Sequence, residues 1–225
     1  MTIISLLVTL VLAVLGFAVP LEAQRFDFVV REDFFAGFSG DEARLQKAME
    51  ACETVLAENP RHAEALVWHG AGLLFQAGRS FQAGDAQRGM QLFTSGLNQM
   101  TEAVALEPEN VAVLIPRGAV LLTATRTMDP ATARPLLEQA VADYEKVLHI
   151  QESYFSTLGD HPRGELLFGL AEGSARLGRP DKTRGYFERL MRDAPTSGQS
   201  VRAEEWLKTG VLPKIVGTGC IGCHK

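Results

Sequence analysis

What this chain has little of narrows it first. Its 225 residues hold three cysteines, at positions 52, 220 and 223, too few for a disulfide framework. It has no basic excess: 22 Lys and Arg stand against 27 Asp and Glu, a formal net charge of −5. That balance gives no support to nucleic-acid binding, and no basic run forms a polybasic membrane patch. A phosphate loop, a Gly-x-Ser-x-Gly elbow, a His-Glu-x-x-His motif and a persuasive carboxylate pair are all missing, so hydrolase and transferase chemistry lack support. Glu102, Glu107 and Glu109 read as solvated helix faces. What is present is ordinary for a globular protein, with 46% hydrophobic and 22% charged residues. Phe dominates the aromatics and gathers early, at 26, 28, 34, 35 and 38.

The amino terminus has the one long apolar run. Ile3 to Leu21 is 19 uncharged residues, roughly 28 Å as a helix at 1.5 Å per residue. That length falls between a signal-peptide core and a membrane span. Residues 1–23 are therefore expected to be a signal peptide, with Ala23 offering a small residue for cleavage, or an anchor in the inner membrane. The Lys or Arg that normally precedes such a run is missing, so orientation is weakly specified. Either reading carries the rest of the chain to the extracytoplasmic side.

Residues 24–40 read as an irregular arm, with a brief alternation at Phe26-Asp27-Phe28-Val29-Val30. Ser39-x-x-Glu42 is a plausible capping box that starts the first helix. Apolar residues then recur at helical spacing through Leu45, Ala48, Met49, Cys52, Val55 and Leu56. Cys52 falls within that apolar pattern and reads as a packed core thiol.

A repeat follows. Leu66-x-x-His69-Gly70-x-x-Leu73 and Leu114-x-x-Arg117-Gly118-x-x-Leu121 share one pattern, with a weaker copy at Leu167-x-x-Leu170-Ala171-x-x-Ser174. A second pattern, small then large four positions on, appears as Ala48 and Cys52, Gly96 and Met100, Ala140 and Tyr144, Thr183 and Phe187. Pro60, Pro108 and Pro195 close three of these segments. Over roughly residues 41 to 195 the chain resembles the tetratricopeptide (TPR) family, whose repeat pairs two helices with such residues at fixed offsets. The resemblance implies an all-α stack of helical hairpins sharing one apolar layer, a surface that docks other proteins. One departure stands out. The family sets the first-helix glycine and the second-helix small residue about 12 positions apart. Ala171 and Thr183 keep that spacing, but Gly70 to Gly96 is 26 and Gly118 to Ala140 is 22. Insertions around 78–84 and 123–130 should lengthen helices or loops on one side. Asp129-Pro130 reads as a helix cap with proline at the first helical position. A last helix near 201–208, with Trp206 as a packing residue, should cap the stack, giving a repeat domain over 41–209.

Residues 210–225 form a tail whose glycines and Pro213 argue against regular structure. It ends in Cys220-Ile221-Gly222-Cys223-His224, the attachment signature of c-type haem. Two thiols at this spacing can add to the two vinyl groups of one porphyrin, and the next histidine lies under the iron as axial ligand. A dithiol redox pair or another metal remains an alternative, although a zinc site normally wants four protein ligands and Cys52 is the only further thiol. The expected cofactor is one covalent haem c, held by Cys220 and Cys223 with His224 on the iron. The second axial ligand is open among His62, His69, His149, His161, Met128 and groups from another chain.

A tail of about 15 residues cannot wrap a porphyrin, so its apolar face must rest on the helical body, on a second copy or on a partner subunit. Two functions from different classes follow. One is a membrane-associated electron-transfer subunit with haem. The other is a scaffold for protein contacts in which the terminal motif is a minor metal or thiol site. Both make the chain a carrier or platform rather than a catalyst.

Overall fold

The computed structural model describes residues 25–212. The terminal apolar run at 3–21 and the Cys-x-x-Cys-His motif lie outside the described residues. Among those described, the chain is all-α, with nine helices: α1 Phe26–Phe38, α2 Glu42–Glu58, α3 Ala63–Gln82, α4 Ala86–Leu106, α5 Val111–Ala124, α6 Pro130–Gln151, α7 Asp160–Arg176, α8 Pro180–Asp193 and α9 Ser200–Thr209. Short 3-10 turns at Thr125–Thr127 and Glu152–Thr157 complete the path. Consecutive helices pair as hairpins, α1 with α2, α3 with α4, α5 with α6 and α7 with α8. The first helices of neighbouring hairpins also pack together, and α9 closes the end against α8. This is the TPR-like hairpin stack expected from the repeat patterns.

The hairpins close where the small residues meet. A Cβ on Gly70 would lie 2.7 Å from Met100 Cγ and 2.8 Å from the Gly96 carbonyl oxygen, and one on Gly96 would lie 2.7 Å from the Gly70 oxygen. Glycine at both positions lets the backbones of α3 and α4 approach to contact. Tyr144 fills the matching groove against Gly118 and Gly169, and Phe187 is fully buried in the last hairpin.

The arm expected at 24–40 is instead a helix. Phe26, Val30, Phe34 and Phe38 recur every four residues, and the last three are buried. Phe34 stacks on Trp68 at 5.2 Å between ring centroids, and Phe38 meets Phe75 at 5.0 Å. The physical reason is pairing: α2 carries the second-helix pattern and has an apolar face that only a first helix can cover. Residues 26–38 supply it, with Gly37 directly against Leu45. The repeat domain thus begins at Phe26 rather than 41. The capping box also shifts. Ser39 ends α1, and Asp41 caps α2 by accepting from the Arg44 N–H at 3.1 Å.

The insertions are absorbed unequally. In α3 and α4 about 14 extra positions continue both helices by roughly seven residues each, so this hairpin projects about 10 Å further at the turn. The turn passes through Gly84 at φ +82° and into α4, capped by Asp85. Between α5 and α6 most of the extra positions lengthen α6 at its start, since Pro130 opens that helix well before Ala140 whereas Pro180 opens α8 just before Thr183; the rest lie in the 3-10 turn and the Asp129 cap, which accepts from the Ala131 and Thr132 N–H groups. At the far end Trp206 of α9 lies 5.0 Å from Phe187, covering the last hairpin.

Charged pairs are placed inside the stack as well. Arg117 grips Asp143 with two bonds of 2.6 Å between α5 and α6, both side chains largely buried. Asp160, at the start of α7, accepts from the Thr196 N–H at 3.0 Å and from its hydroxyl, which holds the carboxyl below its usual range.

Three outcomes follow for the fold. Gly70→Ala overpacks the α3–α4 contact and lowers unfolding free energy by about 1–3 kcal/mol in urea titration. Arg117→Met strands a buried carboxylate and costs about 3–5 kcal/mol, most of it recovered when Asp143→Leu is added. The stability from Asp160 is complete above the unfolded aspartate pKa of about 4 and is lost as pH falls through its lower folded pKa, so Asp160→Asn flattens that part of the urea-midpoint profile against pH.

Candidate functional site

The sequence-predicted haem ligands Cys220, Cys223 and His224 lie outside the described residues. The candidate second ligands are scattered. His62 is the N-cap of α3, its Nδ1 accepting from the Ala65 N–H, and its ring meets Phe26 edge-on. His69 Nδ1 lies 2.8 Å from Gln99 Oε1 and its Nε2 3.6 Å from Glu53. His149 is exposed near the end of α6, and His161 is half-buried in the first turn of α7. Met128 is half-buried between the 3-10 turn and α6, beside a cavity. Among the described residues no group of three or more His, Cys, Asp or Glu is placed to hold a metal ion, and no helix is long and apolar enough to cross a membrane. Cys52 is fully buried, and burial pushes its thiol pKa well up.

Two concavities stand out. The first is a cavity of about 270 Å³ on the face made by the first helices, between α1, α3, α5 and the start of α7. Its walls are Phe28, Phe35, Ile115 and Leu158. Two donors at this wall find no acceptor among the described residues: the Trp68 indole Nε1 and the Arg31 Nε, both buried. Arg31 stands 3.7 Å from the Glu32 carboxylate, beyond hydrogen-bond reach. Phe28 is covered by two guanidinium groups, Arg25 at 4.7 Å and Arg31 at 4.5 Å. Beneath it Asp27 is buried; its pKa is raised by that burial against the pull of Arg25, and its backbone N–H donates to Glu64 at 2.9 Å. Trp68 and Arg31 are 37 positions apart in sequence, so their convergence was not legible there; the only local signal was the Phe-rich stretch that hid α1.

The second is an apolar groove of about 770 Å³ at the turn edge of the stack. The projecting α3–α4 hairpin makes one wall, with Phe75 and Phe93. The end of α1 contributes Phe38, and the end of α5 and its following turn contribute Val120 and Met128. Arg79 stands in the lining and pairs with Glu42. This groove exists because of the insertion that departs from the family spacing.

A third, small cavity of about 40 Å³ between α5, α7 and α9 is bordered by polar pairs. Arg126 holds Glu172 at 2.8 and 2.7 Å, and Arg176 donates to the Leu122 carbonyl at 2.9 Å and to Thr125 Oγ1 at 2.8 Å. Burial raises the pKa of Glu165 there, opposed by its bond from Gln199.

No protein-family profile matches the chain, and no curated protein matches it in sequence. Among solved structures the fold is similar to that of TTC0263, a thermophilic TPR protein of Thermus thermophilus. The two superpose with a TM-score of 0.51 at 21% sequence identity, over 80% of this chain and 79% of that one. The fold is TPR-like. At that identity the likeness speaks for architecture, and the chemistry of the cavities has to come from this chain's own residues.

The burial of Cys52 sets a chemical expectation. An aromatic disulfide reagent at neutral pH leaves Cys52 unmodified in the native protein and labels it once denaturant opens α2, as counted by intact mass.

Proposed function

We propose that the chain is a TPR-like scaffold that docks a polypeptide partner on the face of its first helices. The observation that carries this is the pair of buried, unpartnered donors at Trp68 and Arg31, set in an apolar wall. A buried donor without an acceptor costs about 1–3 kcal/mol, and a bound carbonyl or carboxylate removes that cost. The preferred partner is therefore an extended apolar segment that offers such an acceptor. A photoreactive residue replacing the exposed Phe28 in the full chain, expressed in its native host, tests it. A discrete protein adduct is expected, and Trp68→Phe, which keeps the stacking on Phe34 but removes the donor, should weaken it several-fold. Equal adduct yield in both would reject this docking mode.

A second reading is favoured by the Cys220, Cys223 and His224 motif. In it the scaffold carries one covalent haem c and serves electron transfer on the extracytoplasmic side of a membrane, where residues 3–21 direct or hold it. The two thioethers would fix the porphyrin, and His224 would be the proximal ligand. The intact mass of full-length protein, purified from a host that matures c-type cytochromes, tests it: one added haem with no reactive thiol at 220 and 223 is expected, and unmodified cysteines would reject it.

A further inference from the structure

We propose that the turn edge is a self-association surface: the projecting α3–α4 hairpin of one copy seats in the groove of a second copy and receives the same from it about a two-fold axis. The groove shares no lining residue with the pocket at Trp68 and Arg31, so this joint stands apart from the docking proposed there.

The geometry begins with helices of unequal length. Past Gly70, α3 continues for twelve residues to Gln82, whereas past the matching Gly118, α5 continues for only six, to Ala124. At 1.5 Å per residue α3 outruns its neighbour by roughly 9 Å. On the other flank α1 has already ended, and Ser39 and Gly40 line the groove. The last turns of α3 thus stand as a ridge between two shoulders. A ridge beside a shoulder is complementary to itself. Under a two-fold rotation each ridge meets the shoulder of the other copy at a depth equal to its own height, and one patch is used twice.

The ridge is apolar where a surface is normally polar. Met90, Phe93 and Leu97 form one stripe of α4 at helical spacing. Phe93 and Leu97 pack on the core, but Met90, one turn nearer the tip, is 57% exposed. Phe81 is 42% exposed, and its ring is held against Gly89, where a Cβ would lie 2.6 Å away. The tip therefore presents two large apolar side chains, one of them fixed in place. On the shoulder, half-buried Met128 faces the groove. Contiguous apolar surface of this kind marks an association site.

Charge points to a second copy as the occupant. Arg88 is exposed in the first turn of α4, and its side chain has no acidic partner among the described residues. Asp129, beside Met128, is also exposed; it bonds within its own helix cap and has no basic partner among the described residues. The two-fold brings Arg88 of each copy toward Asp129 of the other, so one chain supplies both halves of the pair. Two ridges on two shoulders, each roughly 9 Å deep, make a joint at the small end of specific interfaces, below about 1,200 Å² in all. The dimer is therefore reversible, and salt weakens it.

The experiment is sedimentation equilibrium of the full chain across about a hundredfold range of concentration, since mass action populates the dimer. Four proteins are compared: the unaltered chain, Met90→Glu, Arg88→Glu, and Arg88→Glu combined with Asp129→Asn. Asn keeps the helix cap and removes the charge. The unaltered chain should pass from monomer to dimer. Met90→Glu and Arg88→Glu should each weaken the dimer about tenfold or more, with circular dichroism and urea midpoint unchanged because both side chains are exposed. Relative to Asp129→Asn alone, the added Arg88→Glu should cost less than about threefold, the coupling expected of a direct pair. A photoreactive residue in place of Met90, in a mixture of isotopically light and heavy copies, should give mixed-mass adducts that map to residues 120–129. A chain that stays monomeric, a dimer that neither Met90→Glu nor Arg88→Glu weakens, or adducts confined to one copy or to another protein would overturn the proposal.

Discussion

The close approach of paired backbones is what this structure depends on. Gly70 and Gly96 bring α3 and α4 to contact at the level of their carbonyl oxygens, and every other layer takes its place from that separation. Once two helices touch, the large side chains four positions on fill the grooves beside the contact: Met100 lies against Gly70 of its own hairpin, and Tyr144 lies against both Gly118 of its own hairpin and Gly169 of the next one. Tyr144 joins one hairpin to the next and Phe187 meets Trp206 of the last helix, and Met100, Tyr144 and Phe187 are all buried. The charged pairs follow the same logic. Arg117 and Asp143 cross a hairpin so tight that neither can be solvated, and a bidentate bond replaces the water they lose.

Much of this was legible because the residues involved recur. Gly70, Gly118 and Ala171 announced first helices, and the small-to-large pairs announced their partners. The proline at 130 and Asp129 marked the start of α6 to the residue. What escaped was α1. Its alternating opening, Phe26-Asp27-Phe28, mimics an extended strand, and its buried Asp27 and Asp33 interrupt the apolar face. Yet Phe26, Val30, Phe34 and Phe38 keep a four-residue step, and α2 had a second-helix pattern with no first helix to match. That unpaired pattern was the readable signal. The cavity holding Trp68 and Arg31 left no such trace, because it depends on how two helices distant in sequence are rotated against each other. The groove lay between these cases: the insertion lengths were visible, but not that both arms of the α3–α4 insertion stay helical and raise a wall.

The two concavities divide the surface by chemistry. The face of the first helices combines aromatic walls with buried donors and so suits a segment with an acceptor to give. The groove at the turn edge is lined mainly by apolar side chains, and its one charged lining residue, Arg79, pairs with Glu42. Departures from the regular repeat in two neighbouring hairpins thus add a second kind of concavity without altering the first.

The last helix sets a limit on growth. In a bare array the terminal hairpin would offer the next copy the same apolar joint that internal hairpins share. Here, among the described residues, Trp206 occupies that joint over Phe187, which closes this end of the stack to another hairpin.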